Sequence, residues 1–193
     1  MTGKPVIPDD EHEVEPEPEP GPGDEGTTPP PDRSRARWPL IIGVALAVIA
    51  VDQLSKAWAV HNLTFRTIDV VWTLRLRLTL NHGSAFSLAP GRGAVISILA
   101  LVIVAVLLRS GRYATRVPHA IAIGLVLGGA VGNLLDRGFR EGPGFLGGGV
   151  VDFIDFQWWP VFNLADSAIV IGAILLFLLS WQDDEPAGDR AAA

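Results

Sequence analysis

The sequence predicts an all-α membrane protein with four transmembrane helices and a small extracytoplasmic β-sheet. Three observations carry that reading. Apolar runs occur at about 38–60, 93–108, 118–136 and 161–181, and a membrane-crossing helix needs roughly 20 largely apolar residues. From Trp72 to Leu80 apolar and polar residues alternate, which is the period of a half-buried strand. The few charged and amide side chains of the apolar body gather near one end of the spans instead of scattering in depth.

Composition agrees. The chain has 193 residues, is 49% hydrophobic and has a mean hydropathy of +0.34. Its formal net charge of −6 is misleading because the charges are segregated. Residues 1–32 hold ten acids and one Lys, and residues 183–193 hold four acids and one Arg. The body between them holds seven acids and thirteen bases. There are no cysteines, which excludes disulfides, thiol catalysis and thiolate metal sites. His12, His61, His82 and His119 stand at no metal-ligand spacing, so no metal or cofactor is expected. The arginines lie between apolar spans and form no single basic stripe, which argues against nucleic acid as a partner.

Residues 1–37 read as a disordered cytoplasmic tail. The run Glu15-Pro-Glu-Pro-Glu-Pro20 cannot bury enough apolar surface to offset the cost of ordering. Docking to a basic partner is the rival role for it. No basic start leads directly into a short apolar core, so it does not read as a secretory signal. The first span follows, with Pro39 suited to a helix start and Arg33, Arg35 and Arg37 ahead of it. Residues 61–90 form the sheet region, ending in the turn-like Asn81-His-Gly-Ser-Ala-Phe86. The second span is short, and Ser87–Pro90 can extend it. Arg109, Arg112 and Arg116 mark a short loop before the third span, where Gly124, Gly128 and Gly132 recur every four residues. That spacing gives a smooth face for close helix packing. Residues 138–160 read as a glycine-rich and aromatic loop, with Trp158 and Trp159 as interface anchors. The fourth span leads to a short tail, 182–193. The arginines before the first span and in the short loop favour both termini inside.

On that topology Asp52, Lys56, Asn81, Asn133, Asp136, Arg137, Asp152, Asn163 and Asp166 all lie near the outer membrane face. Asp52 and Lys56 are four apart, in the favourable acid-first order, and read as a self-contained structural pair. Asn133, Asp136 and Arg137 share a helix face; Asp136 reads as part of a polar knot, paired with Arg137 or capping. Asp152 and Asp166 have no base within a turn in sequence. Brought together, they could not both ionise easily. Such a pair suits the shared-proton chemistry of an aspartic protease, or a proton or ion pathway. A small transporter and a scaffold docking through the glycine face are the rival classes.

Five stretches, taken in order, carry a resemblance. They are Asp52-Gln-Leu-Ser-Lys56, Asn81-His-Gly-Ser-Ala-Phe86, Gly132-Asn-Leu-Leu-Asp-Arg137, Val151-Asp-Phe153 and Phe162-Asn-Leu-Ala-Asp-Ser167. Over about residues 38–181 they resemble the motif set of lipoprotein signal peptidase, or signal peptidase II. The resemblance implies a monomeric multi-pass enzyme of the bacterial cell membrane, with a β-cradle at about 61–90 and a lid loop at about 138–160. It implies no cofactor. The implied substrate is a prolipoprotein, set among membrane lipids and cut before its diacylglyceryl-modified cysteine. Asp152 and Asp166 take the catalytic positions. Asn81, Asn133, Arg137 and Asn163 take positions that line the site, bind substrate or support an oxyanion. Asp52, Lys56 and Asp136 take structural ones.

Overall fold

The computed structural model describes residues 36–83, 92–142, 144 and 146–184. The acidic tail up to residue 35, Ser84-Ala85-Phe86 of the second motif, Ser87–Pro90 and residues 185–193 lie outside them.

Four helices are long and apolar enough to cross a membrane. They are α1 (Trp38–Leu63), α2 (Arg92–Gly111), α3 (Val117–Phe139) and α4 (Leu164–Asp184). Pro39 and Pro118 stand in the first turns of α1 and α3, where a missing N–H breaks no helical bond. α4 begins later than its apolar run, because Asn163 caps it and Phe162 is held in a bridge to Ile154.

α3 is the central helix, and its small residues explain why. A Cβ on Gly124 would stand 2.9 Å from the Ile41 carbonyl, and one on Gly128 would stand 2.7 Å from that of Ala45. One on Gly129 would meet the Ala165 carbonyl of α4. The glycine face is therefore consumed within the chain, against α1, and is not free to dock another protein. Ile41, Ala45, Ile123 and Leu127 fill the core beside it.

Three strands form one antiparallel sheet in the order β1-β2-β3: β1 (Ile68–Val71), β2 (Leu74–Asn81) and β3 (Val150–Asp155). Two expectations change here. The alternating stretch from Trp72 is a strand only from Leu74 on, since Trp72 and Thr73 make the turn between β1 and β2. Trp72 has φ +51°, a left-handed conformation that costs a bulky residue ~1–3 kcal/mol. The segment 138–160 is not all loop, because β3 completes the sheet inside it.

The glycine-rich part before β3 is tied down. Gly148 N–H donates to the Arg137 carbonyl at 3.1 Å. The buried Ser97 hydroxyl of α2 lies within hydrogen-bond reach of the carbonyls of Gly93 (2.8 Å) and Leu146 (3.1 Å), which share its one proton.

Register decides what the sheet presents. Leu76 pairs with Ile154 and Thr79 with Asp152, three steps on β2 against two on β3. This bulge lets Arg75 share a face with Asp155, while Thr79 and Asn81 share the opposite face with Asp152.

Gly128→Ala is expected to lower stability by about 1–3 kcal/mol, because its Cβ would strike the α1 backbone. Gly43 has nothing within 4 Å, so Gly43→Ala leaves stability unchanged or slightly raised. Thermal unfolding of both variants in detergent micelles checks the contrast.

Candidate active site

The Asn163-Leu-Ala-Asp166 stretch forms a reciprocal cap on α4. The Asp166 N–H donates to Asn163 Oδ1 at 3.0 Å, and the Asn163 N–H donates to Asp166 Oδ2 at 3.1 Å. Such a box satisfies N–H groups that a helix start leaves open. Asp52 Oδ1 accepts the next one, from Ala165, at 3.0 Å. The cap also fixes the Asn163 carboxamide, whose Nδ2 donates to Asp152 Oδ1 at 2.7 Å and to Asn133 Oδ1 at 3.1 Å. Asn133 Nδ2 in turn donates to Asp166 Oδ1 at 2.8 Å. One buried asparagine thus holds Asp152 through its side chain and Asp166 through its backbone, and Asn133 closes the ring.

Asp152 reaches this ring from β3. Its Oδ2 accepts from Asn81 Nδ2 at 3.0 Å, and Asn81 Oδ1 accepts from the Gly83 N–H at 2.9 Å. Gly83 has φ +91°, which a side chain would resist. Burial pushes the Asp152 carboxyl from the ordinary 3.8 up to about 6. The Asn81 hydrogen bond opposes that rise, the charge of Asp166 adds to it, and Asn163 and Lys56 oppose it.

Beneath the ring is a polar knot larger than the sequence suggested. Lys56 is fully buried and its ammonium has three partners: Asp52 Oδ2 at 2.8 Å, Asp136 Oδ2 at 3.0 Å and Asn133 Oδ1 at 2.9 Å. The Asp52–Lys56 pair is therefore not self-contained. Asp136 does not pair with Arg137. Its partners are Lys56, Arg140 Nε at 2.8 Å and the Val151 N–H at 3.1 Å. Arg140 stands four residues on, so it shares the Asp136 face of the helix, whereas the adjacent Arg137 does not.

Arg137 is buried, and among the described residues its Nη1 has no hydrogen-bond partner. It lies within electrostatic range of Asp152, Asp166 and Asp136. The Thr79 hydroxyl, on the strand position paired with Asp152, is also buried without a partner among the described residues. Thr79, Ser97 and Arg140 were not singled out from sequence; only Arg140 had a local signal, its spacing from Asp136. Two cavities meet Asp166. One, of about 400 Å³, lies between α2, α3 and α4 and reaches Asn133 and Arg137. The other, of about 370 Å³, runs along α4 past Trp159 and Phe162.

A family model described as signal peptidase (SPase) II matches residues 44–182. A lipoprotein signal peptidase of Rhodococcus jostii (strain RHA1) is 42% identical over 187 residues, covering 95% of this chain and 93% of that protein. One from Mycobacterium avium (strain 104) is 43% identical over 157 residues, covering 80% of this chain and 86% of its own. A bacterial membrane enzyme solved by the in meso method at 1.9 Å superposes with a TM-score of 0.67 at 26% identity, covering 78% of this chain and 97% of that one.

The folded state holds the Asp152 proton more tightly than the unfolded chain does. The contribution of this residue to stability is therefore largest below pH 3.8 and falls as pH rises to about 6. Asp152→Asn is expected to remove that slope. Infrared difference spectra of the protonated carboxyl band should place the midpoint at about 6, and higher in Asn81→Ala, which deletes a bond favouring the charged form.

Proposed function

The chain belongs to the signal peptidase II family, and from that premise we propose that it is an aspartic endopeptidase acting on prolipoproteins, with Asp152 and Asp166 as its catalytic pair. Family membership makes it a multi-pass bacterial membrane peptidase that removes signal peptides from prolipoproteins. The finer reading places the cut just before the diacylglyceryl-modified cysteine. The observation that carries the catalytic pair is Asn163, which binds both carboxylates and so makes them one unit; the cleavage position rests on the family resemblance alone.

In this reading one carboxylate takes a proton from water as the oxygen attacks the scissile carbonyl. The other, protonated, hydrogen-bonds the carbonyl oxygen and then protonates the leaving amine. Asn81, Asn133 and Asn163 orient the pair. Arg137 Nη1, a buried donor without a partner, opposes the negative charge that develops on the oxygen. Asp52, Lys56 and Asp136 position these groups and do not touch substrate. The two cavities at Asp166 are mainly apolar in lining, as the signal-peptide helix and the acyl chains of such a substrate require.

We assign residues 38–181 to the peptidase domain and the segments outside it to cytoplasmic tails. Arg37, Arg109, Arg112 and Arg116 lie at the opposite ends of the helices from Asp152, which supports an extracytoplasmic site and termini inside. Every proposed site residue comes from one chain, so a monomer suffices.

The test is cleavage of a lipidated prolipoprotein by the full chain. Asp152→Asn and Asp166→Asn should each reduce the rate by about 10²–10⁴-fold while leaving a folded protein. Full activity in either variant contradicts the pair. A product beginning anywhere but at the lipidated cysteine contradicts the cleavage position.

A further inference from the structure

We propose that the β1–β2 hairpin is a docking surface for anionic phospholipid, with Arg75 and Arg77 taking the headgroup phosphate and Trp72 entering the interfacial layer beside them. Neither arginine has a part in the site around Asp152. Both direct Nε at the same oxygen, Asp155 Oδ2, at 2.8 and 3.0 Å. The other Asp155 oxygen accepts the Gln157 N–H at 2.7 Å. A guanidinium has five N–H donors and Nε carries one of them; among the described residues the bonds of both arginines run through Nε, which leaves the terminal nitrogens for another acceptor. Their side chains are 33% and 44% exposed, whereas that of Asp155 is 3% exposed. Burial works against the charge of Asp155, but the bonds from Arg75, Gln157 and Arg77 outweigh it and hold its carboxyl below the usual range. A permanent anion thus fixes two cations side by side. Asp69 stands opposite Arg75 across the ladder, so Asp69 and Asp155 balance Arg75 and Arg77 in formal charge, and Arg66 just before β1 supplies the excess base.

The turn between the strands supplies an independent observation. Trp72 is 98% exposed although its backbone sits in the left-handed region. Gln157 is also left-handed, at φ +69°. Its side-chain amide donates to the Thr73 carbonyl at 3.0 Å, which ties the turn to the segment after β3. A strained bulky residue held with its ring fully exposed returns no packing within the chain. Val71, next to it in sequence, and Trp158, next to Gln157, are exposed too. The bilayer is the apolar phase at hand for a membrane protein, and Trp favours its interface. Arginine pairs match phosphate geometry. The same pairing accounts for arginines on the side that the inside-positive bias would leave poor in them. Asp155 is three residues along β3 from Asp152, or ~10 Å, so this surface is separate from the cleavage site.

The full chain in phosphatidylcholine nanodiscs, with and without phosphatidylglycerol, tests this. The Trp72 signal, taken as wild type minus Trp72→Phe, should be quenched at least twofold by lipids brominated near the acyl carbonyl. An unquenched Trp72 overturns the docking. Native mass spectrometry should show Arg75→Gln/Arg77→Gln retaining at least threefold less phosphatidylglycerol, with phosphatidylcholine retention unchanged. Unchanged phosphatidylglycerol retention, or equal loss of both lipids, overturns the phosphate assignment. Trp72→Gly separates docking from folding. It relieves the backbone strain, so its thermal midpoint in detergent should hold or rise while the midpoint gain from phosphatidylglycerol shrinks; an undiminished gain counts against the proposal. An acidic peptide that binds wild type but not the double variant, with lipid retention unaltered, would put a protein segment on this surface instead.

Discussion

The ammonium of Lys56 is the constraint on which the rest of the arrangement depends. It is shut off from solvent and fully committed, to two carboxylates and one carboxamide. Each partner carries the constraint onward. Asp52 holds the first turn of α4 through the Ala165 N–H. Asp136 holds the start of β3 through the Val151 N–H. Asn133 holds Asp166. One cation on α1 therefore sets the positions of α3, α4 and β3 together, and α4 and β3 carry the two proposed catalytic aspartates. Removing one partner from a buried ion cluster costs roughly 3–5 kcal/mol, because it strands the opposing charges. The worth of the knot lies in that intolerance of misplacement more than in net stability.

A buried cluster of this kind needs close helices, and small residues allow them. Gly132 places backbone where a Cβ would stand 2.7 Å from Asp52 Oδ2. Gly124 and Gly128 bring the α1 backbone equally close further along. The apolar stripe and the polar knot are thus one device at two depths. Glycines set the spacing through the bilayer, and charges set the register at its edge.

Much of this was legible in the sequence. The apolar runs marked the four helices, because membrane crossing demands length and apolarity together. The polar residues were legible by their rarity. The strand starts two residues later than the alternation because its turn, Trp72-Thr73, lacks the Gly, Asn or Pro that announces one, and the alternation includes it. β3 was missed because its partner strand lies about 70 residues earlier and glycines crowd its approach. The reach of Lys56 to Asn133 and Asp136 was invisible for the same reason: spacing shows neighbours within a helix, and these lie on another one. Asp155 had no local base to betray it, since its arginines come from β2. The cap at Asn163 could have been read as a box, with an amide and an acid three apart at the head of an apolar run.

The central claim is that Asp152 and Asp166 act as one electrostatic unit held by Asn163. The most direct measurement is the carboxyl titration of Asp152 with Asp166 neutralised as Asp166→Asn. The charge of Asp166 is one of the influences that raise Asp152 to about 6, so the account predicts a midpoint below the wild-type value. An unchanged midpoint in a correctly folded variant would contradict it, because the two carboxylates would then titrate as strangers.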